Sequence, residues 1–275
     1  MIPQRNLSLL SNRLFRDQGG RRIPEAVLQR DYCLAWFLAT LATHPLREHL
    51  AFKGGTALRR CHFANYRFSE DLDFTLLQAM EFPAIQTSLE EIFASLRAAS
   101  RIEFRFDHVD DVHENSHTFY LAFQGPLPAP NTVKVDITIS EKIVLPLENG
   151  TVLQSYAEFS DVPANREVRV YSLGEILTEK IVALSDRSRT EPRDLYDAWH
   201  LANDGIAISD LTHGIEAKLE FRGRPTEGVE EQILGKETRL RRLWEQRLSH
   251  QISELPEFDR VFREFRRHLR RANLA

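Results

Sequence analysis

A chain of 275 residues, 42% of them hydrophobic and 28% charged, can bury a sizeable core and is too apolar to stay disordered throughout. Its formal net charge of −4 excludes a surface coated all over in nucleic-acid-binding charge. However, residues 221–275 hold 13 Lys and Arg against 9 Asp and Glu, a net +4, which leaves −8 on the rest. An acidic front with a basic tail suits a metal site plus a polyanion-facing surface, and equally a solvated helical face.

Residues 1–20 are polar and carry arginines, with no apolar stretch of the kind a signal peptide needs. Pro24 opens a helical pattern in which Val27, Leu28, Leu34, Phe37, Leu38 and Leu41 recur at helical spacing. The most apolar run, 33–42, is about half the length of a membrane span, so no membrane partner is expected. Cys33 and Cys61 match no metal spacing and no disulfide framework. A reducing cytoplasm is the expectation.

Residues 49–53 read as a short strand that Gly54-Gly55 breaks, with a helix over 56–63. A strand is expected over 67–77 and an amphipathic helix over 82–99, with Pro83 in its first turn. Strands follow near 101–109, 117–124 and 132–140. Asn149-Gly150 reads as a turn, and 166–171 as one more strand. From Ser172 the pattern is helical to the end, with Ser172 and Glu175 spaced as a capping box. The expected fold class is therefore α/β with a mixed sheet over residues 1–168, followed by an α-helical lobe over 169–275.

Four segments carry chemistry. In Arg67-Phe68-Ser69-Glu70-Asp71-Leu72-Asp73-Phe74, strand alternation puts Ser69, Asp71 and Asp73 on one face. Carboxylates about 7 Å apart along a strand repel unless a divalent cation sits between them. Mg²⁺ takes one or two carboxylates plus substrate phosphate oxygens. An isolated Asp-x-Asp is also an ordinary charged turn or edge. Lys53-Gly54-Gly55-Thr56-Ala57-Leu58 reads as strand, glycine break and helix start. There the backbone approaches a phosphate closely and Thr56 is a natural N-cap; a plain strand-to-helix turn has the same look.

In Val133-Lys134-Val135-Asp136-Ile137-Thr138-Ile139 the alternation is strict, and Asp136 lies on the polar face as a possible third acid. Last, Ile176, Leu177, Ile181 and Leu184 form a buried helical stripe, with Lys180 off it as a cation for a triphosphate. Arg187, Arg189 and Arg193-Asp194-Leu195-Tyr196-Asp197 follow. The plain alternative here is surface pairing, such as Arg193 with Asp197.

Taken in this order, the four segments resemble the AbiEii/AbiGii toxin family, which includes the MenT toxins, over about 24–203. The resemblance implies a polymerase-β-like nucleotidyltransferase fold with a helical lobe. It also implies a type IV toxin–antitoxin or abortive-infection toxin, whose partner is a separately encoded antitoxin, winged-helix and AbiEi-like. It implies Mg²⁺ or Mn²⁺ with an NTP as substrate, and a tRNA 3′ end as acceptor, so that translation is blocked.

Carried onto this chain, the metal falls to Asp71, Asp73 and, as a less uniform position, Asp136. Nucleotide contacts fall to Lys53, Gly54, Gly55, Thr56, Ser69, Arg187 and Arg189. Lys180 and Asp194 join the catalytic set with Asp71 and Asp73.

Three other readings share these motifs: an AMPylating-type enzyme that modifies protein, a non-catalytic nucleotide-binding relative, and a small-molecule nucleotidyltransferase. The C-terminal stripe Phe258, Val261, Phe262, Phe265 and Leu269 is flanked by Arg260, Arg263, Arg266, Arg267, Arg270 and Arg271. That pattern suits RNA and antitoxin alike.

Overall fold

A computed structural model describes residues 1–110 and 115–274. The described chain forms two compact units. The first holds residues 1–141 and 147–170, the second 142–146 and 171–275.

The first unit begins with α1 (Gln4–Gln18), whose Leu7, Leu10 and Leu14 are buried. Next comes α2 (Glu25–Leu41), nearly all apolar along its second half. Seven strands follow: β1 (Leu50–Lys53), β2 (Leu72–Leu76), β3 (Glu103–Val109), β4 (Ser116–Gln124), β5 (Asn131–Thr138), β6 (Leu147–Thr151) and β7 (Glu167–Tyr171). They make one mixed sheet in the order β3-β4-β5-β2-β1-β7-β6. β2 runs parallel to β5 and antiparallel to β1, while β1 runs parallel to β7.

Strand alternation divides the sheet into two faces. One is apolar: Phe52, Phe74, Phe119, Phe123, Val135 and Ile137 are all buried. α2 and α4 (Phe82–Ser100) supply aromatic contacts on that side, with Phe37 and Phe93 lying 5.7 and 6.0 Å from Phe104. The other face carries Lys53, Asp73, Thr75, Asp136 and Thr138. Burying one face of a sheet fixes its register, because a one-residue slip would invert every side chain. That register is what aligns the polar row.

Two expectations fail in this unit. Asn149-Gly150 is not a turn but part of β6. A methyl on Gly150 would lie 2.6 Å from Val170 and 2.9 Å from Cys61, so the glycine serves close approach within the sheet. β2 starts at Leu72 rather than 67, so Ser69 and Asp71 precede the strand.

The second unit is helical: α5 (Leu173–Ser185), α6 (Pro192–Asn203), α7 (Thr212–Phe221), α8 (Val229–Leu234), α9 (Glu237–Leu248) and α10 (Phe258–Ala272). The capping box at the start of α5 is half made. The Ser172 hydroxyl accepts from the Glu175 N–H, but the Glu175 carboxylate turns away. It accepts from the Val144 and Leu145 N–H groups and pairs with fully buried Lys218 at 2.9 Å. Among the described residues, no helix is long and apolar enough to cross a membrane.

Candidate active site

β1 delivers Lys53 to the edge of the glycine turn. α3 (Gly54–Ala57) begins there and passes into one π-turn, Leu58–His62. The helix opens at Gly54, so Thr56 is not its N-cap. Lys53 holds that position, without a side-chain cap. The Thr56 hydroxyl, nearly fully buried, donates instead to the Asp71 carbonyl, tying the glycine turn to the acidic segment.

Both glycines are required by what lies over them. Gly54 has φ +79°, and a methyl there would sit 2.5 Å from Asp73 Oδ2. A methyl on Gly55 would overlap the Arg67 guanidinium and lie 3.1 Å from Ser69 Oγ. The turn therefore touches a carboxylate on one side and a guanidinium plus a hydroxyl on the other. Arg67 is buried. Its place at the head of the Arg-Phe-Ser-Glu-Asp-Leu-Asp run was its only sequence cue.

Register completes the arrangement. Lys53 stands opposite Asp73 on β2, Asp73 opposite Asp136 on β5, and Asp136 opposite Thr118 on β4. Directly opposed residues share a face, so the four form one row across the sheet. Lys53 Nζ donates to Thr138 Oγ1 at 2.9 Å. Thr118 Oγ1 donates to Asp136 Oδ2 at 3.2 Å, and Lys134 Nζ lies 3.5 Å from the same oxygen.

A buried anchor that sequence reasoning missed fixes this region from behind. Asp31 on α2 receives Arg59 in bidentate fashion, at 2.6 and 2.9 Å, and also pairs with Arg60. Arg59 further donates to the Tyr66 carbonyl and stacks 3.8 Å over Phe68. One guanidinium thus joins α2, the π-turn and the segment leading to Asp71. Burial pushes the Asp31 carboxyl up, but Arg59 and Arg60 outweigh it and hold it below its ordinary value.

Within the second unit, Lys180 on α5 meets two acids of α6, Asp194 and Asp197, each at 2.7 Å. Arg189 adds a 2.7 Å contact to Asp194. Burial raises the Asp194 carboxyl, and Lys180 and Arg189 more than reverse that. Arg193 lies 3.2 Å from Glu191. Arg187 is exposed. It lines a cavity of about 320 Å³ with Lys236 and Arg239.

Oxygen donors of Asp73 and Asp136 on adjacent strands, with Asp71 two residues before Asp73, fit a hard divalent cation that completes its shell with substrate oxygens. No cluster of three or more His, Cys, Asp or Glu side chains is arranged to hold a metal among the described residues. A cation shared with a nucleotide needs only one or two.

A mixed sheet that sets acids on neighbouring strands, behind a glycine turn and ahead of a helical unit, defines a nucleotidyltransferase fold. The structure matches MenT4, a nucleotidyltransferase toxin from Mycobacterium tuberculosis H37Rv, with a TM-score of 0.69. That match covers 98% of this chain and 88% of the other at 18% identity. The family model described as nucleotidyl transferase AbiEii toxin, type IV TA system, matches residues 36–264, and the chain belongs to that family. No curated protein matches it in sequence.

Proposed function

We propose that this transferase moves a nucleotide from an NTP onto the terminal hydroxyl of a tRNA 3′ end, releasing pyrophosphate and blocking translation. The carrying observation is the in-register pair Asp73–Asp136 beside a glycine turn that Arg67 and Ser69 also touch. Glycine backbone and an adjacent guanidinium form a cradle for phosphate oxygens. Asp73 against that turn, with Asp136 one strand further on, suits the reacting end of the same group.

The acceptor oxygen bonds to the α-phosphorus as the bond to pyrophosphate breaks, and the hydroxyl proton leaves toward the carboxylate row. Asp71, Asp73 and Asp136 would hold Mg²⁺ or Mn²⁺, which would supply Lewis-acid charge to the reacting phosphate. Gly54, Gly55, Thr56 and Ser69 hold nucleotide phosphate, with Lys53 beside them. Lys180, Arg187 and Arg189 carry triphosphate contacts by the family resemblance. The buried pairing of Lys180 with Asp194 supports a fixed place for Lys180 within its own unit. In the cell the protein acts in the cytoplasm and is neutralised by a cognate, AbiEi-like antitoxin.

Incubation with labelled NTP, total tRNA and total protein tests the acceptor. Label in tRNA, at the 3′ end by sequencing, is expected. Label confined to protein would overturn the RNA assignment in favour of an AMPylating-type activity. Growth arrest should vanish in Asp71→Ala and Asp73→Ala; toxicity that survives both would mean the transfer is not the toxic act.

A further inference from the structure

The last helix separates its residues by chemistry. Phe258, Val261, Phe262, Phe265, Leu269 and Ala272 are all buried within the second unit. Its exposed positions are Asp259 and six arginines, at 260, 263, 266, 267, 270 and 271. Arg260 pairs with Glu264 at 3.1 Å, and Arg270 lies 3.9 Å from Glu230. Arg263, Arg266, Arg267 and Arg271 make no ion pair among the described residues. From 260 to 271 the helix rises about 17 Å, a length of duplex axis that carries on the order of ten phosphates.

Two observations choose between a polyanion and a protein partner. Protein interfaces have an apolar, charge-depleted centre, and no apolar side chain of α10 is exposed. Alongside α10 lies the aromatic edge of α6. Trp199 donates to Glu264 at 2.8 Å, and Asn203 meets His268 at 3.0 Å. Tyr196 and His200 stack with centroids 6.2 Å apart. All three rings are half-buried. Guanidinium charge beside partly open rings is the combination that RNA recognition uses, with phosphate neutralised and unstacked bases received on π-faces.

We infer that the arginine face of α10 grips the phosphate backbone of RNA, with the α6 aromatic edge receiving bases beside it. This rests on the RNA-acceptor reading and adds the surface by which the acceptor is held.

Binding of fluorescently labelled, unfractionated tRNA to the full chain, titrated across a range of salt, tests it. In the quadruple variant R263Q/R266Q/R267Q/R271Q the slope of log affinity against log salt should shrink by about three, close to one for each phosphate that is no longer neutralised. Affinity near physiological salt should drop at least about tenfold. The matching four Arg→Lys changes should keep the slope, since they keep the charge. A slope unchanged by the glutamine variant overturns the inference. So does an unchanged slope with loss of antitoxin co-purification, which gives the face to a protein.

Asp71→Asn with Asp73→Asn separates the two readings. It should abolish transfer and leave the salt slope intact. Arginine-dependent binding by a wild type that transfers nothing to RNA keeps the docking face and ends the acceptor reading. RNA transfer with an arginine-independent slope ends the docking face alone.

Discussion

Asp73 and Asp136 stand directly opposite one another on the parallel strands β2 and β5, about 4.8 Å apart along the hydrogen-bonding direction. Two like charges held so close, each only half-buried, are at their most stable with positive charge between them. Lys53 and Lys134 supply part of it.

Asp73→Asn should therefore cut transfer by roughly 10²–10³-fold, the cost of losing one well-placed electrostatic group. Asp136→Asn should cut it less, because Thr118 and Lys134 still bracket that position. Steady-state pyrophosphate release across a Mg²⁺ titration measures both. Higher Mg²⁺ should partly restore Asp136→Asn. Wild-type rates in either variant would remove the pair from the chemistry.

Gly54→Ala is the sharpest test of the turn. The new methyl meets Asp73 Oδ2 at 2.5 Å from a backbone at φ +79°. Left-handed backbone costs a non-glycine residue about 1–2 kcal/mol, a moderate loss in denaturant titration. The displaced carboxylate should cost far more in turnover than in stability. An active Gly54→Ala protein would show that Asp73 tolerates movement.

Asp31→Ala should destabilise by roughly 3–5 kcal/mol, because Arg59 and Arg60 would then be buried without their counter-charge. Buried acids of this kind also set the acid limb. Asp31 and Asp194 are both held below the ordinary 3.8. For a carboxyl depressed in the fold, the stabilisation is full above the unfolded value and lost as pH falls through the folded one. The contribution of these two carboxyls to the urea midpoint should be full above about pH 4 and lost below it. Asp194→Asn should lessen that loss, and an identical acid limb in this variant would contradict its depressed ionisation.

Lys236 is a bolt across the α5–α6 connection. Its ammonium donates to the carbonyls of Leu184 at 2.5 Å and Arg189 at 2.8 Å, and to that of Asp186. Lys236→Met leaves these carbonyls unpaired, at a cost of roughly 1.5–3 kcal/mol. Amide exchange over 184–191 should accelerate, with Arg189 loosened from Asp194. Unchanged protection there would mean the connection holds itself.

The strict alternation of β5 was readable because one face of that strand is buried and the other is not. The glycine break was readable because few residues tolerate the backbone it needs. The start of β2 was misread for a tertiary reason. Phe68 alternates with polar neighbours as a strand residue would, yet Arg59 claims the Tyr66 carbonyl and the Phe68 ring and holds the segment off the sheet. α1 has Leu7, Leu10 and Leu14 at helical spacing, but no side-chain cap marks its start. Arg67 and the Asp31–Arg59 anchor left no local trace, since contacts between distant segments write nothing into a spacing. The same holds for the partner of Lys180.

The parallel pairing of β2 with β5 also sets an order of events during synthesis. Parallel neighbours cannot be joined by a tight turn. Here the intervening chain includes α4 and the β3–β4 hairpin. A ribosome that has released residues up to 124 has delivered the glycine turn, Asp71 and Asp73, but not the strand that bears Asp136. Such long-range pairings form late. The producing cell's exposure to an assembled site thus begins only when β5 has emerged and docked, which leaves an interval in which a co-produced neutralising partner can already be waiting.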